Sequence, residues 1–200
     1  GLRCTALGFG NERLAEGAAQ QIRDLSFYHG FNQKSHTPQI ELAERLLGLA
    51  PVPMAKDFFA NSGSEANDTA FKLIWYRSNA MGNPEKKKII GRVKGYHGVT
   101  IAAASATGTP INHQAFDLPI DGFLHTDCPH YASSATPGES EVQYSQRCAQ
   151  NLDVLIEQEG PETIAAFIAE PVMGAGGVLI PPAGYFEKIQ AVLDKHDVLM

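Results

Sequence analysis

Three short segments carry the residue types with the most chemistry to offer. In Asn61-Ser62-Gly63-Ser64-Glu65 the spacing of Ser62 and Glu65 fits a capping box, in which each side chain reaches the other residue's backbone N–H, and so predicts a helix start. Gly63 and Ser64 then fall in the first turn. There, free N–H groups and the positive end of the helix dipole can hold a phosphate, and Gly63 permits close approach. A plain helix cap needs no ligand, and spacing alone leaves both readings open. No Gly-Lys-Ser/Thr sequence occurs, which disfavours a nucleotide-binding P-loop.

The second segment, Gly95-Tyr96-His97-Gly98, sets two rings between two glycines just beyond an expected strand, at the end of a parallel sheet where ligands usually bind. A flat aromatic ligand could stack there; equally, Tyr96 covers the sheet edge and His97 is a hydrogen-bonded turn residue. The third is Glu170, which ends the apolar run 164–169 and precedes Pro171. Its charge needs a partner, either a ligand hydroxyl, a neighbouring donor or an internal salt bridge. The Gly174-Ala175-Gly176-Gly177 loop that follows either brings backbone up to a ligand or turns the chain. His125, Cys128 and His130 put imidazole and thiol ligands in one short loop, but with no matching second pair no metal is assigned. Lys86-Lys87-Lys88 reads as a solvated turn without a partner.

These residues need a scaffold, and the apolar spacing supplies one. Residues 11–24 repeat at helical spacing, and a second helix begins at Pro38 and is ended by Pro51 and Pro53. A short strand is expected over 57–60, then a long helix to about residue 80 and a stop at Met81-Gly82-Asn83-Pro84. A strand over 88–92 and a small-residue helix over 101–107 follow. Residues 109–137 read as a long loop with short strands, 139–159 as a helix and 164–169 as a strand buried on both faces. An amphipathic helix over 184–196 leads to a new apolar run at 198–200. Strands alternating with helices predict an α/β fold with a mainly parallel sheet.

Composition narrows the function classes. Sixteen Lys and Arg against twenty-two Asp and Glu give a net charge of −6, so no broad basic face exists for a phosphate backbone and nucleic acid is not an expected partner. No run approaches the roughly 20 apolar residues of a membrane helix, so no membrane partner is expected either. Three well-separated cysteines, Cys4, Cys128 and Cys148, predict free thiols and a cytoplasmic location.

Taken in order, residues 58–68 (Phe-Phe-Ala-Asn-Ser-Gly-Ser-Glu-Ala-Asn-Asp), Lys94-Gly95-Tyr96-His97-Gly98 and residues 169–177 (Ala-Glu-Pro-Val-Met-Gly-Ala-Gly-Gly) resemble class III, or omega-amino-acid, aminotransferases over nearly the whole chain. Ile180-Pro181-Pro182 and the following helix extend the match. The resemblance implies the large domain of a fold type I pyridoxal-phosphate enzyme, with residues 1–30 an N-terminal segment for the substrate pocket and dimer contacts and 31–200 an incomplete cofactor-binding domain. It implies Ser62, Gly63 and Ser64 at the cofactor phosphate, Tyr96 stacked on the pyridine ring, His97 beside it, and Glu170 near its 3-hydroxyl side. It implies transfer of an amino group from an amine or omega-amino acid to a keto acid such as pyruvate, in a homodimer or tetramer. The family's aspartate and Schiff-base lysine are expected beyond Met200, so no catalytic residue is assigned. Many relatives have Trp where this chain has Arg3, at a position that lines the substrate pocket, and Tyr28 falls in a segment that contributes to that pocket; packing is an equal reading of Tyr28. Alternatives on the same fold are another pyridoxal-phosphate reaction, such as an aminomutase or decarboxylase, or a non-catalytic subunit.

Overall fold

Ile89 and Ile90 have no exposed surface, and the larger part of the fold is layered on the strand that contains them. The computed structural model describes residues 5–200. The chain divides into two compact units, Gly1–Phe58 and Phe59–Met200.

In the second unit, strand β1 (Lys88–Arg92) is central in a three-stranded parallel sheet of order β2-β1-β3, with β2 at Phe123–Thr126 and β3 at Ile164–Phe167. Ile89 pairs with Phe123 and Ile90 with Phe167. All four residues of β3 are buried, as expected for a strand covered on both faces. Past β3 the apolar run at 198–200 begins to pair: Phe167 N–H donates to the Leu199 carbonyl at 2.8 Å, forming a parallel bridge.

Side chains of the sheet enter two cores. On one side Ile90, Ile164 and Phe167 pack with Leu152 and Ile156 of α6 (Glu141–Glu159) and Ile189 and Leu193 of α7 (Tyr185–Lys195). On the other, Ile89, Phe123 and Ala165 meet Phe71 of α3 (Gly63–Ala80) and Ala106 of α4 (Ile101–Ala106). The small residues Ala103, Ala104, Ser105 and Ala106 are all buried, and their size is what lets α4 lie close to the sheet. Helix α6 starts with a full capping box between Ser140 and Gln143. Helix α3 closes on Gly82, whose φ of 79° is the left-handed cap the stop signal predicts.

Two expectations fail here. Residues 57–60 form no strand: no neighbouring strand pairs with them among the described residues, and Phe58 and Phe59 remain exposed. An isolated strand leaves its backbone groups unpaired. The three lysines are not a solvated turn. Lys86 is buried, and its ammonium donates to the carbonyl of Asp197 at 2.6 Å and its carboxylate at 2.9 Å. Lys87 reaches the Trp75 carbonyl and Lys88 the Glu159 carboxylate, each at 2.8 Å. Each ammonium group thus finds a backbone carbonyl, of Asp197, Trp75 and Glu159 respectively, and Lys86 and Lys88 also pair with a carboxylate.

In the first unit, α1 (Glu12–Leu25) is capped by Asn11, whose side chain accepts from Leu14 N–H, and α2 (Thr37–Leu49) carries Pro38 in its first turn. Neither helix has a buried residue. No helix among the described residues is long and apolar enough to cross a membrane.

Candidate functional site

The N-terminus of α3 is built by side chains at the spacing the sequence suggested, with one change. Ser62 is the N-cap and its hydroxyl accepts from Glu65 N–H at 3.2 Å. The Glu65 carboxylate does not return to Ser62; it accepts from the backbone and side-chain nitrogens of Asn61, at 2.9 and 3.2 Å. The reciprocal arm therefore ties the chain one residue earlier. Gly63 and Ser64 occupy the first turn, where helical geometry leaves backbone N–H groups without intrahelical partners. A Cβ built on Gly63 would meet nothing within 4 Å, so this helix end is open to a ligand.

Helix α3 also holds the aromatic loop. Ser64 Oγ accepts from Val99 N–H at 3.0 Å, Asn67 Nδ2 donates to the His97 carbonyl at 2.6 Å, and Asp68 Oδ1 accepts from Thr100 Oγ1 at 2.8 Å and Ala103 N–H at 3.2 Å. Residues 64, 67 and 68 share one helix face, which lets them act together. Gly98 is required at the crossing: its φ is +138°, and a Cβ there would fall 2.5 Å from Ser64 Oγ and 2.8 Å from Ala103 Cβ. Asn67, Asp68 and Thr107 are the site-building residues that the sequence reading missed. The polar face of α3 was the available signal for the first two.

Glu170 finds its partners in backbone. One carboxylate oxygen accepts from Tyr96 N–H at 3.0 Å and the other from Gly174 N–H at 2.9 Å, so the side chain joins the aromatic loop to the glycine loop. That glycine loop makes its close approach to protein: a Cβ on Gly176 would lie 2.6 Å from the Lys94 carbonyl oxygen. Tyr96 leaves its ring partly exposed, 39% of the residue being accessible. His97 is buried, its N–H donates to Thr107 Oγ1 at 2.8 Å, and its Nε2 has no hydrogen-bond partner. Burial pushes its pKa down to about 4, with Glu170 opposing and Arg92 reinforcing the shift, so the ring is neutral near pH 7.

The fold thus brings six of the eight sequence-selected residues together by direct hydrogen bonds or shared segments: Ser62, Gly63 and Ser64 at the helix end, Tyr96 and His97 on the loop that α3 holds, and Glu170 bonded to Tyr96 N–H. An open helix N-terminus fits a phosphate, and the partly exposed ring of Tyr96, on the loop tied to that helix, fits the face of an aromatic heterocycle. Tyr28 belongs to the first unit, where it stacks on His29 at 4.8 Å between centroids and lines a cavity of about 630 Å³ with Leu25, Phe27 and His36. Arg3 lies outside the described residues. His125, Cys128 and His130 are engaged separately: His125 Nε2 pairs with the Ala106 carbonyl and His130 Nδ1 with Ser133 Oγ, while burial pushes the Cys128 thiol pKa up. Among the described residues the grouping close enough to share an ion is Asp153, Glu157 and His196, and the Lys195 ammonium already lies 2.8 Å from Asp153.

The full chain, residues 1–200, matches the family model for class-III aminotransferases. It is 58% identical to gamma aminobutyrate transaminase 3, chloroplastic, of Solanum lycopersicum, over 100% of this chain and 38% of that protein. It is 56% identical to vanillin aminotransferase of Capsicum annuum, again over the whole chain and 44% of the relative. Among solved structures, the omega transaminase from Pseudomonas jessenii in complex with PMP superposes with a TM-score of 0.96 at 59% identity, covering 98% of this chain and 43% of that one. The chain therefore spans about two fifths of the length of these relatives. The expectation of a cytoplasmic location is overturned, because relatives at this level of identity are chloroplastic and mitochondrial proteins. Free thiols separate reducing from oxidising compartments and cannot separate the cytosol from an organelle interior. With the match extending from the first residue to the last, and three site segments that fold into one hydrogen-bonded unit, this chain belongs to the class-III aminotransferase family.

Proposed function

We propose that the full-length protein is a pyridoxal-phosphate-dependent aminotransferase that moves an amino group from an amine or omega-amino acid to a keto acid such as pyruvate. The observation that carries the reading is the open first turn of α3, with Gly63 unobstructed, held to the Tyr96-His97 loop by Ser64, Asn67 and Asp68. Gly63 and Ser64 offer N–H donors to the phosphate, with the Ser62 hydroxyl alongside. Tyr96 supplies a flat face for the ring. Glu170 fixes the height of Tyr96 through its backbone, and neutral His97 borders the ring without adding charge. The cofactor, when bound, supplies an electron sink that makes proton loss from the amino donor feasible.

Arg3 and Tyr28 are the substrate-facing residues of this proposal, within an N-terminal segment over residues 1–30, with residues 31–200 forming the cofactor-binding domain. A guanidinium at Arg3 attracts carboxylate or sulfonate donors and repels ammonium groups, so diamines are disfavoured. A homodimer, or a tetramer of dimers, goes with this reading: Leu14, Ile22, Ile40, Leu46 and Leu49 of the first unit are exposed, and the rest of the full-length protein or a second subunit would cover them. The test is a cofactor titration and a transamination assay of the full-length protein with pyruvate as acceptor, beside Tyr96→Ala. Wild type should bind cofactor and form alanine, and Tyr96→Ala should bind less tightly. Absence of cofactor binding by the wild type, or products of rearrangement or decarboxylation, sinks the proposal.

A further inference from the structure

Arg92 ends the central strand and is the largest of the side chains that have no exposed surface. Among the described residues it makes no salt bridge. Its Nη2 donates to the carbonyl oxygen of Glu170 at 2.5 Å, and the guanidinium carbon lies 5.9 and 5.7 Å from the ring centroids of Tyr185 and Phe186. Nε and Nη1 have no hydrogen-bond partner. A buried cation with no counter-ion and two unused donor nitrogens is costly to the fold, and a well-packed apolar residue would serve the core better. What it holds offsets that cost.

The bonds around it form a closed circuit. The Arg92 guanidinium holds the Glu170 main chain, the Glu170 carboxylate holds Tyr96 N–H at 3.0 Å, and Gly95 N–H returns to the Arg92 carbonyl at 2.9 Å. A single residue therefore grips the aromatic loop from both sides, directly through its backbone and indirectly through Glu170. We infer that Arg92 is a positioning residue of the cofactor site, setting Glu170 and, through it, the ring of Tyr96. The inference rests on the cofactor reading proposed above. Beyond the circuit, burial is the main cause that pushes the pKa of His97 down; Glu170 opposes it, and the Arg92 charge and His125 add to it.

The experiment compares wild type, Arg92→Met and Arg92→Lys as full-length proteins. Thermal melting and His97 titration by NMR are read without cofactor; pyridoxal phosphate affinity and the near-UV circular dichroism of the bound cofactor are read with it. Arg92→Met should fold with undiminished melting, lose about tenfold in cofactor affinity, change the dichroism and titrate His97 at higher pH. Arg92→Lys should restore the His97 titration and recover part of the affinity. Wild-type affinity and dichroism in Arg92→Met would overturn the inference, as would an Arg92→Lys protein as impaired as Arg92→Met. If Arg92→Met does not fold, Arg92→Gln, which keeps a donor and removes the charge, takes its place: a raised His97 titration with altered dichroism supports the inference, and wild-type values for both overturn it. A wild type that does not bind cofactor defeats the functional proposal instead, so the two failures are distinguishable.

Discussion

Gly63 and Gly98 lie on the two sides of the same junction, and replacing each by alanine separates what the site needs for folding from what it needs for a ligand. At Gly98 the φ of +138° lies in a region that residues with a Cβ avoid, a strain of about 1–3 kcal/mol. The added Cβ would also sit 2.5 Å from Ser64 Oγ, 2.8 Å from Ala103 Cβ and 3.0 Å from Ser64 Cα, and only the first of these atoms can rotate away. Relief requires α3 and α4 to separate where Asp68 binds across them, and overpacking of this kind costs about 1–3 kcal/mol. Gly98→Ala should therefore lower the unfolding free energy of the cofactor-free protein by about 4 kcal/mol, the middle of the combined range. Gly63→Ala is the opposite case. The new methyl meets nothing within 4 Å, and restricting the unfolded chain stabilises by about 0.4–1 kcal/mol. That same methyl occupies the approach to the open N–H groups, so cofactor affinity should fall about tenfold or more, a loss of at least ~1.4 kcal/mol. Urea denaturation without cofactor and a cofactor titration measure both quantities. If Gly63→Ala binds pyridoxal phosphate as tightly as wild type, the first turn of α3 is only a helix start; if Gly98→Ala unfolds at the wild-type midpoint, the close crossing of α3 and the aromatic loop is not real.

Glu170→Gln should weaken cofactor binding, because an amide can accept from Tyr96 or Gly174 but not both; bonds to charged acceptors are worth about 1.5–3 kcal/mol, and partial exposure places this one near the lower end. Equal affinity in the two proteins would show that the loops hold their positions unaided. Asp68→Ala leaves the buried Ala103 N–H and the Thr100 hydroxyl without an acceptor and should cost about 2 kcal/mol in denaturation experiments, whereas Asp68→Asn, which keeps the oxygen, should cost less than half of that; equal losses would refute the capping role. His97 titrates lower in the folded protein, at about 4, than in the unfolded chain, at 6.5, so the unfolded state binds the extra proton: stability is full above pH 6.5, declines as pH falls from 6.5 towards 4 and levels below that. The wild-type minus His97→Gln difference in unfolding free energy should show that decline, and a difference independent of pH over this window would remove the burial argument.

The sequence by itself determined the elements and the site's outline. The strand at 88–92, the start of α3 at Ser62 and Gly63, and a buried strand expected over 164–169 and formed over 164–167 follow from apolar periodicity and capping residues, which act over a few positions along the chain. Gly63, Ser64, Tyr96 and Glu170 stood out as candidates for the same reason, being marked by a helix start, a glycine-flanked loop and the end of an apolar strand. What tertiary structure decided is where long-range partners meet. The strand expected at 57–60 lacks a neighbour to complete its hydrogen bonds, and the three lysines find acceptors as far away as Asp197. Glu65 bonds Asn61 instead of Ser62, and Glu170 takes backbone N–H groups from two loops, 74 and 4 residues distant. Arg92 reads in sequence as an ordinary strand-end cation; only the packing of Tyr185 and Phe186 over it shows that it is fully buried, with no counter-ion among the described residues. Periodicity reports which face of an element is apolar, whereas the satisfaction of a buried polar group depends on atoms brought together from remote parts of the chain, and local sequence carries no record of them.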